Sequence, residues 1–216
     1  NLSLLENNLS ILKKNNVKNK DIVLATGFKK DLIRQKTKNK YTYILNKKYK
    51  DTNMVYSLYL VLKNIGYNND IIVIYSDIIF EKKNLSEILL SKKSIVTLVD
   101  KDWFNKWKFK ENYKNDLEEL KIKDNKILFL GKKTDKLRNI SGRFVGITKI
   151  SKNILRKIQR NGILKNEIKK NIKIDFTNFL MKLIKNKIEI FAIRKKINWY
   201  EFDKINDFHT YKNTLK

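Results

Sequence analysis

The chain has 216 residues, with 49 Lys and Arg against 22 Asp and Glu, a formal net charge of +27, no Cys, no Pro and six Gly. The absence of cysteine excludes disulfides, thiol nucleophiles and Cys-ligated zinc, and 42% apolar residues exclude wholesale disorder. No run of about eighteen apolar residues and no basic-then-apolar leader exists, so the expectation is a cytoplasmic chain without a membrane span.

The segment 2–15 reads as a helix, with Leu2, Leu5, Leu9 and Leu12 on one face. The run DIVLATG (21–27) reads as a buried strand closed by Gly, and YTYILN (41–46) as a second strand. Met54, Val55, Leu58, Val61, Leu62 and Ile65 repeat with a helical period over 53–66, ending at Gly66. DIIVIYSD (70–77) is apolar on both faces, as a central strand covered by helices would be. A short helix over 85–90 and the strand SIVTLVD (94–100) follow. LEELKI, KILFLG and GRFVGITKI then read as strands without long helices between them, an antiparallel or mixed extension. The tail returns to alternation: helices over 151–160 and 176–185, a strand over 188–193, the short segment NWYEFD (198–203) and a last helix from about residue 204. Alternation of this kind predicts an α/β fold with a mixed, mainly parallel sheet and helices on both sides. With no repeat and no linker, residues 1–216 read as a single domain.

The charge invites a nucleic-acid reading, but only six of the basic residues are Arg. Lys, Asn and Ile are inflated while Arg, Ala, Gly and Pro are depleted, the imprint of A/T-rich codons. Arg is the residue suited to bidentate phosphate and guanine contacts. The lysines are scattered rather than gathered into an arm. A basic nucleic-acid-binding protein is therefore the alternative from another class, and a nucleotide-sized polyanion also suits the charge.

Open α/β sheets bind ligands beyond the carboxyl ends of their strands. Asp77, Asp100 and Asp203 stand at such ends. Two carboxylates converging from separate strands suit Mg²⁺, which shares its remaining positions with water and phosphate oxygens. Taken singly, each Asp is equally a cap of the next turn or helix.

The series TGF, YKDTNMVYSL, IVIYSDIIF, VDKDWFNKW, DLEEL, GRFVGITKI, DFTNFLMKLI and NWYEFDKINDF resembles, in this order, the nucleotidyltransferase family. Within it the likeness is to the phosphocholine and aminoethylphosphonate cytidylyltransferase-like branch. The resemblance implies a Rossmann-like three-layer sandwich. It also implies CTP as the nucleotide partner, a small phosphorylated acceptor such as phosphocholine or aminoethylphosphonate, and release of pyrophosphate. A sugar-1-phosphate acceptor is the runner-up. By the resemblance, Asp77 and Asp203 are the catalytic Mg²⁺ ligands, and Thr52, Asn53, Met54 and Ser57 lie beside the base and ribose. Trp103, Glu118, Trp199 and Glu201 are candidates for acceptor binding, with Glu119 an alternative register for Glu118 and Trp107 a further aromatic of interest. Aromatic faces with a nearby carboxylate suit a trimethylammonium group, although Trp in the core and Glu on a solvated face are the ordinary alternatives. His209, the single histidine, reads as a surface or packing residue. The sequence departs from the family in showing no Gly-rich loop with its preceding strand, in having Lys110 where Arg is usual, and in having Asn178 where Asp is common.

Overall fold

The computed structural model describes residues 2–214. Ser3 opens the first helix, α1 (Leu4–Lys14), through a capping box: its hydroxyl accepts from the Glu6 N–H, and the Glu6 carboxylate accepts from the Ser3 N–H. β1 (Val23–Thr26) and β2 (Thr42–Leu45) pair in parallel as a separate two-stranded sheet, joined by α2 (Lys30–Lys36). The sequence gives no periodic signal for α2, which is seven residues long and starts from a left-handed Lys29 without a side-chain cap. β1 is not the fully buried strand expected, because its neighbour is a single short strand; only Thr26 is buried.

α3 (Met54–Ile65) is capped by the Asn53 side chain and stops at Gly66, whose φ of 81° few other residues adopt. β3 (Ile71–Ile74) and β4 (Ile78–Phe80) lead into α4 (Lys82–Leu90) and β5 (Ile95–Asp100). A single-turn α5 (Phe104–Trp107) precedes the hairpin of β6 (Glu118–Lys123) and β7 (Lys126–Lys133), and then β8 (Arg143–Ile150). Three helices follow: α6 (Lys152–Arg160), α7 (Ile163–Lys170) and α8 (Phe176–Lys185). β9 (Phe191–Lys195), β10 (Trp199–Glu201) and α9 (Ile205–Thr214) complete the described chain. α7 was not anticipated, and β9 starts three residues beyond the expected 188.

The main sheet has six strands in the order β3-β8-β5-β9-β7-β6. β5 runs through its middle with all six residues buried. Its side chains alternate between two cores, as a pleated strand requires. Ile95 and Val99 pack with α3, α6, α7 and α8 residues such as Val55, Leu155, Ile163 and Leu183. Val96 and Leu98 pack with Ile11 of α1, Leu85 and Ile88 of α4, and Trp107 of α5. Helices thus cover both faces, and the α/β class read from the sequence holds. Pairing directions are more antiparallel than alternation implied. In the main sheet β5 and β9 are the one parallel neighbour pair among the described residues: β3, β5 and β9 share a direction, but β8 lies between β3 and β5 running the opposite way. The same insertion moves β3 from the expected centre to the edge: among the described residues it pairs with β8 alone, and its four residues are half-buried.

Candidate active site

β10 pairs antiparallel with β4, with Glu201 opposite Ile78. The Phe202 N–H continues the ladder to the Asp77 carbonyl at 2.9 Å. This register brings the acid that follows β3 against the end of β10, beside Glu201 and, just past the strand, Asp203. Carboxylate oxygens of Asp77, Glu201 and Asp203 lie within 4.8 Å of one another. Two of the three are the strand-end acids selected from the sequence; Glu201 was assigned to the acceptor and joins them here.

Burial chiefly holds the Asp77 carboxyl above its ordinary pKa, with the Asp203 charge adding to the effect. The Glu201 carboxyl is pushed to about 7, first by burial and then by Asp203 and Asp77, against the opposing pull of Arg143 and Lys110. Asp77 Oδ1 is buried and has no hydrogen-bond partner. An anionic oxygen of that kind, aimed among two further carboxylates, fits a hard divalent cation with oxygen ligands such as Mg²⁺.

Two cations flank the cluster. Arg143 is held by Asp116, through its carboxylate and its carbonyl, and lies 3.7 Å from a Glu201 oxygen. The buried Lys110 Nζ donates to Asp203 Oδ2 at 2.7 Å and to the Glu201 carbonyl at 3.2 Å. Both sit 4.2 Å from the centroid of the Trp107 ring, a cation–π arrangement that fixes their positions.

Beside the cluster opens a cavity of about 210 Å³. Asp116, Glu118, Glu119, Asp175, Glu201 and Asp203 contribute to its wall, with Arg143 the one basic residue among its lining. Glu118 and Glu119 both line it, so the two registers considered from DLEEL converge on one pocket. Burial raises the Glu118 carboxyl above its usual range. Tyr75, missed from the sequence, also lines the cavity, with its ring against Phe144 and Phe176. Burial, and then the Glu201 charge, drives its phenol well above its ordinary pKa. Gly146, at φ 81°, makes room for that ring: a Cβ there would lie 2.7 Å from Tyr75 Cγ. The Gly in GRFVGITKI was the available signal, since Gly inside a strand marks a close approach. Gly146→Ala is expected to cost about 2 kcal/mol and to displace Tyr75. Urea unfolding followed by tyrosine fluorescence checks both effects; a melt superimposable on wild type would refute the assignment.

The tryptophans are packed in the core. Trp103 and Trp199 are 4% and 3% exposed, belong to the core beneath the sheet, and are not among the residues lining the acidic cavity. Trp107 stacks on Trp199 with ring centroids 5.5 Å apart. Asp100, the third strand-end acid, is a structural anchor. It is fully buried and accepts from Lys106 Nζ, Trp199 Nε1, and the Asp102 and Ile197 N–H groups. Replacing one of its oxygens by an amide donor turns a donor toward donors. Asp100→Asn should therefore lower stability by about 2 kcal/mol, measured as a drop in the urea midpoint at unchanged slope.

No family model matches the chain. The CTP:phosphoglutamine cytidylyltransferase of Campylobacter jejuni is 28% identical over 202 residues, spanning 87% of this chain and 79% of that protein. Among solved structures, the inositol-1-phosphate CTP transferase of T. maritima superposes with a TM-score of 0.76 at 17% identity, covering 98% of this chain and 81% of that one. The CTP:phosphocholine cytidylyltransferase of Streptococcus pneumoniae gives 0.67 at 18% identity, covering 99% and 85%. The fold is that of the nucleotidyltransferases.

Within this nucleotidyltransferase fold, the residues expected beside the base and ribose form a polar knot at the start of α3. The Asn46 side chain donates to Thr52 Oγ1 at 2.9 Å and to Ser57 Oγ at 3.1 Å. Asn53 Oδ1 caps the helix by accepting from the Met54 N–H at 2.7 Å, and its amide donates to the Lys173 carbonyl. The Met54 side chain is exposed. The knot is thus preorganised at a helix N-terminus, where N–H groups and the dipole favour an anion. His209 lies exposed on α9. No helix among the described residues is long and apolar enough to cross a membrane.

Proposed function

We propose that this chain transfers a cytidylyl group from CTP to a small phosphorylated acceptor carrying a cationic amine, of the phosphocholine or aminoethylphosphonate type, and releases pyrophosphate. The observation that carries this reading is the gathering of carboxylates, in a chain of net charge +27, into one cluster and one adjoining cavity. A cluster of three carboxylates suits a divalent ion, and an acidic cavity suits an ammonium group. The acidic cavity suits an ammonium group better than a polyanionic nucleic acid or a neutral sugar ring, whereas the carboxylate cluster serves the nucleotide phosphates with any acceptor.

The acceptor's phosphate or phosphonate oxygen is already anionic, so its attack on the α-phosphorus needs no protein nucleophile and no strong base. One P–O bond forms, the bond to the pyrophosphate leaving group breaks, and its electrons leave on pyrophosphate. Asp77, Glu201 and Asp203 would hold Mg²⁺, which supplies charge neutralisation for the transferring phosphoryl group. Glu118, Asp175 and Glu201 orient the acceptor by attraction to its ammonium group. Arg143, pinned by Asp116 and Trp107, keeps Glu201 in register with the cluster. Thr52, Asn53, Met54 and Ser57, around the N-terminus of α3, receive the nucleoside.

The test is pyrophosphate release with CTP, UTP, GTP and ATP in turn. The acceptor panel contains phosphocholine, aminoethylphosphonate, phosphoglutamine, inositol 1-phosphate and glucose 1-phosphate. CTP with an amine acceptor should give the largest kcat/KM, with the CMP adduct identified by mass. Release with a neutral sugar phosphate alone overturns the acceptor assignment, and no release from any pairing overturns the reading.

A further inference from the structure

Lys110 presents a feature that the proposed reaction leaves unexplained. A lysine 7% exposed is rare unless paired, and this one is paired with a carboxylate of the very cluster that suits a divalent ion. Its ammonium lies over Trp107 and Tyr200, with Nζ 4.2 Å and 5.8 Å from the two ring centroids. It donates to Asp203 Oδ2 and the Glu201 carbonyl, and pairs with the Asp207 carboxylate at 3.6 Å. Only the first of these belongs to a carboxylate of the cluster. If an incoming cation drew Asp203 away, the Glu201 carbonyl, the Asp207 charge and the two rings would keep the ammonium in place.

The backbone at Asp203 is held without Lys110. The Asp203 N–H donates to Asp207 Oδ2 at 2.8 Å, and the Lys204 N–H to the same oxygen at 2.9 Å, so the start of α9 fixes this loop through its own cap. The main influence of Lys110 on the cluster is therefore its charge. A fixed positive charge beside the ligands has two effects: it neutralises part of the repulsion among three carboxylates when no ion is present, and it repels a divalent ion.

Resting on the cytidylyltransferase reading above, we propose that Lys110 is a positioning residue that acts as a fixed internal cation. It keeps the Asp77, Glu201 and Asp203 cluster weak toward a free divalent ion, so that the ion enters together with the nucleotide triphosphate. The triphosphate supplies the additional oxygen ligands and negative charge that outweigh the Lys110 repulsion. A divalent ion alone meets three carboxylates already partly neutralised by Lys110 and Arg143.

The experiment measures Mn²⁺ binding by electron paramagnetic resonance, without and with CTP, to wild type, Lys110→Met, Lys110→Gln and Lys110→Arg. Circular dichroism melts accompany each, and either neutral variant that folds suffices. Removing a like charge a few ångströms from the ion should tighten binding of Mn²⁺ alone on the order of tenfold. Lys110→Arg, which keeps the charge, should bind as wild type does. With CTP present the difference between neutral and charged variants should shrink. Unchanged or weaker Mn²⁺ binding in the neutral variants overturns the role of Lys110 while leaving the metal cluster intact. Absence of Mn²⁺ binding in every form, with or without CTP, overturns the metal assignment itself and this inference with it.

Discussion

Asp77→Ala is expected to lower kcat for pyrophosphate release on the order of a thousandfold without weakening the fold. In the proposed reaction, the activity loss follows from removing one of three proposed ligands where charge develops at the α-phosphorus; single electrostatic contacts of this kind are worth about two to three orders of magnitude. The stability expectation comes from the resting geometry. Asp77 Oδ1 is buried without a partner, and burial already holds the carboxyl above its ordinary pKa. A charge in that position costs folding free energy, so removing it leaves the melting temperature equal or higher, the usual trade between stability and function. Steady-state kinetics with a parallel thermal melt decide the matter. Retained activity removes Asp77 from the catalytic centre, and a collapsed melt reassigns it to a structural role.

The second large effect concerns Glu201 and pH. Its folded-state pKa of about 7 lies above the ordinary 4.5. The native state therefore holds a proton that the unfolded chain releases, and stability falls as pH rises between these two values. The stabilisation is fully present below about pH 4.5 and lost once pH passes 7. Its size is about 3 kcal/mol, from the shift and the energy of one pKa unit. Asp77, raised in the same direction, adds to the slope. Glu6 and Glu81, held below their usual range by Ser3 and by Lys83 with Asn198, lose their contribution only at lower pH, outside this window. Urea denaturation of the ion-free protein at intervals from pH 5 to 8 should show the decline. Glu201→Gln should flatten it and be the more stable form at pH 8. A wild-type curve that is level or rising over this range would show that the carboxylate is not desolvated as described.

Much of the candidate site was legible because its chemistry is carried by residues at the ends of strong local signals. Asp77 closes an uninterrupted apolar run and Asp203 closes NWYEFD, and an acid at a strand end stands out against a lysine-rich background. Asn53 and Gly66 bracket α3 as cap and stop, where backbone geometry depends on the residue itself. Glu201 was read as an acceptor residue, and it does line the acidic cavity; nothing local showed that its carboxylate also lies beside Asp77 and Asp203. Trp103 and Trp199 were acceptor candidates with core packing as the alternative; both side chains are buried in the core and neither lines the acidic cavity. Tyr75 was passed over because its neighbours Gly146, Phe144 and Phe176 lie far away in sequence.

The sequence by itself determined the α/β class, most strand and helix positions, and the two acids at β3 and β10, because period, capping and strand ends are properties of a few consecutive residues. Only the tertiary structure decided that β8 runs between β3 and β5 and pushes β3 to the edge, since its pairings link residues as distant in sequence as Asp100 with Arg143 and Ile71 with Ile150, which no local pattern couples. It also decided the electrostatics: Glu201 beside Asp77, Lys110 on Asp203 and Arg143 on Glu201 acquire their roles from burial and charges in space. The excess of positive charge, a matter of composition, says little about the site. What matters there is the few carboxylates that the fold brings together.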